Sequence, residues 1–244
     1  ARNPRSCVHD RARGGWGEPA ATPQDGTQVA TDLHTLLQRG HVPGPYVLAG
    51  HSFGALYVLN YAARYPGEVA GMVLMDSTNP ASVAKPATAS PGDGASYDIL
   101  ARASAMLSTS ARLGLARLDS QFEGGTLPPK YSDQVRANIA TASNLRSTID
   151  EYAQANASME QAASLRDFAN KPLVVLTAGI GGDAKHTAAQ NHLATLSTNS
   201  AHRVIADASH EDPVARHKAS ANPTHAIPPG VPDARTTTPR GTGT

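Results

Sequence analysis

One stretch, Tyr46 to Pro66 (YVLAGHSFGALYVLNYAARYP), limits the folds open to this chain more than any other. It opens with an apolar run, Tyr46-Val47-Leu48-Ala49, set off by the turn residues Pro43-Gly44-Pro45, and this run reads as a buried strand. It closes with Ala55 to Tyr65, where Leu56, Leu59, Tyr61 and Ala62 recur at helical spacing until Pro66-Gly67 stops the run. Between strand and helix stands Gly50-His51-Ser52-Phe53-Gly54, a G-x-S-x-G. A serine on so sharp a turn needs strained backbone angles, and the small residues Gly50, Gly54 and Ala55 let the turn close without clashes. The turn lifts the Ser52 hydroxyl above the sheet and points the Phe53 N–H and the helix N-terminus at any charge developing beside it. Five-residue patterns with three fixed positions also arise by chance, so the strand before and the helix after are what make this one a nucleophile elbow.

The rest of the chain alternates in the same way. Ser6 to His9 is a weak strand signal, followed by Asp10-Arg11 and the Gly-rich run Arg13-Gly14-Gly15-Trp16-Gly17. From Thr27 to Gln38, Val29, Leu33, Leu36 and Leu37 make one apolar stripe, with Gly40 as the stop. A helix between two strands predicts a parallel pairing. Glu68 to Asp76 supplies another buried strand with Asp76 at its C-terminal end, and Leu173 to Thr177 a third, running into the loop Ala178 to Asp183. Ala188 to Leu196 reads as a helix with Leu193 and Leu196 inward, and His202 to Ala206 as a last, weaker strand before Ser209-His210. The predicted class is therefore α/β, with a mostly parallel sheet flanked by helices. Residues 80–94 are rich in Pro, Ala, Ser and Gly and read as a linker. Ser96 to Leu118 and Ser132 to Phe168 follow as helical stretches, broken at Leu127-Pro128-Pro129. Beyond Glu211 the apolar periodicity ends, and residues 213–244 are expected to be a disordered tail.

Composition removes several classes of function. A net charge of +1, no basic block and 5% aromatics offer no nucleic-acid surface. The single Cys7 excludes an intrachain disulfide and a thiolate metal cluster. No run reaches the roughly 18 apolar residues of a membrane span. Oligomeric state and compartment are not legible.

The chain resembles the α/β-hydrolases, in particular bacterial serine hydrolases with a helical cap. The likeness rests on HDRARGGWGEP, on VPGPYVLAGHSFGALYVLNYAARYPGEVAGMVLMDS, and on KPLVVLTAG with LSTNSAHRVIADASH, and it covers roughly residues 5–212. It implies a core of residues 1–79 and 169–212, with residues 80–168 inserted as the cap over Ser52. In the family a second oxyanion donor comes from an H-G-type loop after a strand that precedes HDRARGG, and this stretch is not found, so the resemblance implies an incomplete version of the fold. The vacated place beside Tyr46 to Ala49 is then expected either to be taken by Ser6 to His9 or to remain an open edge.

A serine hydroxyl is too weakly acidic to attack an ester unaided; it needs a base within hydrogen-bond reach and an acid to orient that base. Of ten histidines, His210 alone lies just after the last predicted strand and downstream of both candidate acids, while His217 and His225 fall in the tail. His51 is expected to point away from the nucleophile. Two acids remain open: Asp183, in the loop after the strand that follows the cap, is preferred, and Asp76 is the alternative. The chemistry the resemblance implies is acyl transfer from a small-molecule carboxylic ester to Ser52, the oxyanion being held by Phe53 N–H, with no metal or cofactor. A serine at position 52 argues against the dehalogenase and epoxide-hydrolase branches, which need a carboxylate nucleophile. Two further readings use the same residues differently: a haloperoxidase-like perhydrolase, and a non-catalytic hydrolase fold serving as a binding module.

Overall fold

The structure, a computed structural model, describes residues 7–12, 14–15, 17–18, 20, 22–80, 129–139 and 141–212. The linker beyond residue 80, the helix expected over Ser96 to Leu118, the break at Leu127-Pro128 and the tail 213–244 lie outside these residues. In chain order the elements are α1 (Gly26–Arg39), β1 (Tyr46–His51), α2 (Gly54–Arg64), a 3-10 turn (Pro66–Glu68) and β2 (Val69–Met75). They continue with α3 (Pro129–Ile139), α4 (Ala142–Ala153), α5 (Ala155–Ala162), β3 (Leu173–Ala178), α6 (Ala184–Ala194) and β4 (Ser200–Ile205). The chain divides into two compact units, Ala1–Asp25 with Lys85–Asn156, and Gly26–Ala84 with Ala157–Thr244.

The second unit holds the sheet. Its four strands run in the order β1-β2-β3-β4, every pair parallel. Alternation along each strand divides the side chains between two faces. Met72 and Leu74 of β2, with Leu173 and Val175 of β3, face the larger core that α2 fills with Leu56, Leu59, Tyr61 and Ala62. Val73, Met75, Val174 and Leu176 face the other way and pack with Ile205 of β4. Leu56 and Leu59 are fully buried, and truncation of either to Ala is expected to cost about 2–5 kcal/mol. The free N–H groups that open α1 are met from α5: Gly26 N–H donates to Ser158 Oγ at 3.0 Å and Thr27 N–H to Gln161 Oε1 at 2.8 Å.

Three expectations need correction. Cys7 to Asp10 form no strand; the one strong strand former there, Val8, is 99% exposed, and so short a run has no apolar face to bury. In consequence β1 has β2 on one side and, among the described residues, no strand on the other. It is therefore not a buried strand. Only Gly50 in it is buried and Val47 is 37% exposed. The open-edge alternative is the one observed among the described residues. Finally, Ser132 to Phe168 is three helices rather than one. Thr141, in extended backbone, accepts a hydrogen bond from Asn144 N–H and starts α4 afresh, and Gln154 ends it.

Polar contacts join the two segments of the first unit. Arg11 pairs with Glu151 of α4 at 3.0 Å, and Asn138 Nδ2 of α3 donates to the Gly15 carbonyl at 2.8 Å.

Candidate active site

Register places the site. Gly50 pairs with Leu74 and His51 with Met75, so Ser52 and Asp76 leave adjacent parallel strands side by side. Both enter the left-handed region, Ser52 at φ 53° and Asp76 at φ 41°, a conformation that non-glycine residues adopt only when their surroundings impose it. The bonds that impose it are visible. Ser52 N–H donates to the Met75 carbonyl at 3.0 Å, Asp76 N–H to Leu176 at 2.7 Å, and Thr78 N–H to the Ser52 carbonyl at 3.1 Å. A Cβ on Gly50 would lie 2.7 Å from the Ala55 Cα, so the turn requires glycine there. Gly54 has nothing within 4 Å of its absent Cβ, and the expectation that its smallness lets the turn close is not met.

His210 arrives from the loop after β4. That loop is tied by Asp212, whose Oδ2 accepts from both the N–H and the hydroxyl of Ser209, at 2.7 and 2.9 Å. His210 Nδ1–H donates to Asp76 Oδ2 at 2.5 Å, and His210 Nε2 lies 2.9 Å from Ser52 Oγ. A carboxylate can only accept, so Nδ1 carries the ring proton and Nε2 presents its lone pair to the serine hydroxyl. Asp76 is 5% exposed whereas His210 is 46% exposed, so the carboxylate is shut in and the imidazole open to solvent. Burial by itself pushes the Asp76 carboxyl up. Hydrogen bonds from His210, His186 and the Ala178 N–H outweigh that and hold it below the usual carboxylate range.

Asp183, the preferred acid in the sequence, does not meet His210. It is the N-cap of α6: its Oδ1 accepts from the His186 N–H at 2.7 Å, and the loop before it turns through Gly181 at φ 88°. Asp76 is the carboxylate bonded to His210, because it follows β2 directly, next to the elbow strand. His51 also departs from expectation. Its ring packs on that of His210 with centroids 4.6 Å apart, and its Nε2–H donates to the His210 backbone carbonyl at 2.7 Å.

Two site residues escaped the sequence reading. His186 Nε2–H donates to Asp76 Oδ1 at 2.8 Å, beside the Ala178 N–H, which reaches the same oxygen at 3.0 Å. Gln190, fully buried, donates from Nε2 to the Ser77 carbonyl at 2.6 Å and accepts from the Ser77 N–H at 3.3 Å. The two stand four residues apart on one face of α6 and together grip the Asp76-Ser77 backbone and carboxylate. The available signal was Asp183 itself, since an N-cap aspartate marks the start of a helix whose first turn carries His186. Phe53 sits at the N-terminal end of α2, and no backbone acceptor engages its N–H among the described residues. No group of three or more His, Cys, Asp or Glu among the described residues is arranged to hold a metal ion.

Comparison with known proteins places this chain in a family. The profile of the alpha/beta hydrolase fold matches residues 9–214. The chain belongs to the alpha/beta hydrolase family. Among solved structures, this hydrolase-fold chain is similar to a thermophilic esterase from Thermogutta terrifontis, at 20% identity and a TM-score of 0.55, with 89% of this chain and 76% of that one covered. It is also similar to a haloalkane dehalogenase loop variant from Bradyrhizobium elkanii, at 16% identity and a TM-score of 0.60, covering 89% and 77%. Identities this low show the shared alpha/beta hydrolase fold. An uncharacterized protein of Schizosaccharomyces pombe is 38% identical over 73 residues, which are 30% of this chain and 14% of that relative's length.

Proposed function

We propose that this chain is a serine hydrolase that cleaves small-molecule carboxylic esters through an acyl-enzyme, with Ser52 as nucleophile, His210 as base and Asp76 as acid. One observation carries the reading: hydroxyl, imidazole and carboxylate stand in line, at 2.9 and 2.5 Å, on a serine held at φ 53°. In the first half-reaction the Ser52 hydroxyl proton passes to His210 Nε2 as Oγ forms a bond to the carbonyl carbon. Asp76 then faces an imidazolium and stabilises it. Collapse of the tetrahedral intermediate breaks the ester bond, and His210 returns the proton to the departing alkoxide. Water, deprotonated by the same nitrogen, repeats the sequence and releases the acid. The Phe53 N–H and the N-terminus of α2 are the groups proposed to meet the oxyanion. A serine rather than a carboxylate at position 52 favours ester cleavage over dehalogenation. The insertion between β2 and β3, which includes α3 and α4, is proposed to be the cap.

The test is labelling with a fluorophosphonate together with hydrolysis of p-nitrophenyl butyrate. Wild type is expected to label once, at Ser52, and Ser52→Ala to do neither. Turnover that survives Ser52→Ala would overturn the reading; folded wild type that neither labels nor turns over would leave a hydrolase fold used for binding.

A further inference from the structure

The Asp76 carboxylate has two oxygens, and a different histidine holds each. Oδ2 takes the His210 Nδ1–H, while Oδ1 takes the His186 Nε2–H at 2.8 Å and the Ala178 N–H at 3.0 Å. A carboxylate this buried needs donors on both oxygens, and on Oδ1 one of them is a titratable side chain rather than backbone alone. We propose that His186 is a positioning residue for the acid, fixing Asp76 by its second oxygen and setting how much of the carboxylate charge reaches His210. This rests on the assignment of His210 and Asp76 as base and acid made above.

The geometry supports a placed donor rather than a chance contact. His186 lies in the first turn of α6, where its backbone N–H is capped by Asp183 Oδ1 at 2.7 Å, and Thr187 N–H returns to the Asp183 carbonyl at 3.0 Å. One turn on, Gln190 fastens α6 to Ser77, the residue after Asp76, through both of that residue's backbone groups. The helix is therefore locked in register with the carboxylate it serves. Asp183 takes part as well, indirectly: it caps the turn that carries His186, which holds Asp76, which orients His210 beside Ser52.

The electrostatic consequence has a sign. Asp76 is met by His210 from the loop after β4, by His186 from α6 and by a backbone N–H from the end of β3. His210 is met in addition by the His51 ring from β1. A donor on Oδ1 shares the negative charge and so reduces its pull on the His210 imidazolium. Removing that donor concentrates the charge on His210 and strengthens its hold on a proton.

The experiment is an NMR titration of histidine-labelled full-length chain from about pH 4 to about pH 9, following the His210 ring in wild type, H186A, H186Q, D183A and D183N. In H186A the His210 midpoint is expected to rise by about half a pH unit or more, about a threefold gain in proton affinity. H186Q keeps an N–H donor at the same reach and is expected to stay within about 0.2 unit of wild type. D183N retains a capping oxygen and should match wild type, whereas D183A loosens the turn and should move the midpoint up by less than H186A. A midpoint unmoved in H186A, or moved as far by H186Q as by H186A, would overturn the proposal. If H186A fails to fold, an unmoved midpoint in D183A overturns it instead. Because the readout is a titration, it does not depend on ester turnover. Failure of the hydrolase reading appears as catalysis indifferent to Ser52→Ala, with the His210 titration still measurable.

Discussion

Strand β2 is bracketed by two carboxylates, Glu68 before it and Asp76 after it, and the same three kinds of group gather at both ends. Glu68 Oε2 accepts from the Tyr61 hydroxyl at 2.5 Å and from His34 Nδ1–H at 3.1 Å. Asp76 accepts from His210, and a serine hydroxyl completes that set. The order differs. At Glu68 the hydroxyl and the imidazole converge on one carboxylate oxygen, so the hydroxyl proton already has an anionic acceptor and the ring has no lone pair aimed at it. At Asp76 the imidazole stands between, with its lone pair on the hydroxyl. Burial raises the Tyr61 hydroxyl pKa, and the Glu68 hydrogen bond and charge raise it further, so that oxygen keeps its proton. The backbone differs too: Glu68 ends a 3-10 turn, whereas Ser52 and Asp76 are both held in the left-handed region. The same inventory converges on one carboxylate oxygen at Glu68 and lines up from carboxylate to hydroxyl at Asp76.

Substitutions can break this contrast. Ser52→Ala should lower kcat/KM for p-nitrophenyl butyrate by at least about 10⁴-fold, while Tyr61→Phe at the other end should leave it within about twofold. Asp76→Asn keeps the size of the acid but removes the charge and invites the wrong His210 tautomer, so a loss of about 10³–10⁴ in kcat with little change in KM is expected. Equal losses from Glu68→Gln and Asp76→Asn would erase the distinction drawn here.

Smaller effects sharpen it. His51→Phe keeps a ring against His210 but loses the donor to its carbonyl, and kcat should fall about five- to tenfold, the worth of one hydrogen bond of about 1 kcal/mol. Tyr61→Phe should instead appear in urea denaturation, as a loss of about 1.5–3 kcal/mol, because its hydroxyl is bonded to a charged group. The acid side of the stability profile carries the smallest difference. Burial alone would raise both carboxyls, yet their hydrogen bonds leave Glu68 and Asp76 lowered. Each therefore stabilises the fold fully above the unfolded carboxylate pKa of about 4 and loses that contribution as pH falls through its lowered folded value. Glu68→Gln should flatten the decline in stability below about pH 4 without altering the pH dependence of turnover; a turnover profile that moved with it would join the two clusters functionally.

The elbow was legible in the chain because its causes are local. An apolar run, a G-x-S-x-G and a helical stripe lie within some twenty consecutive residues. His210 was legible for a related reason, since position after the last strand puts a residue at the same edge of a parallel sheet as the serine. The acid was not. Asp76 comes directly after β2 and Asp183 five residues beyond β3, and their neighbours in the chain do not say which of the two stands beside His210. What separates them is lateral order: β2 lies beside β1, and β3 one place further away, so only the carboxylate leaving β2 emerges next to Ser52. Strand order comes from long-range pairing, and residues distant in sequence decide it. The same holds for His186, Gln190 and His51, whose partners lie 110, 113 and 159 residues away. Local chemistry determined what Ser52 could be; only tertiary packing decided which groups would stand around it.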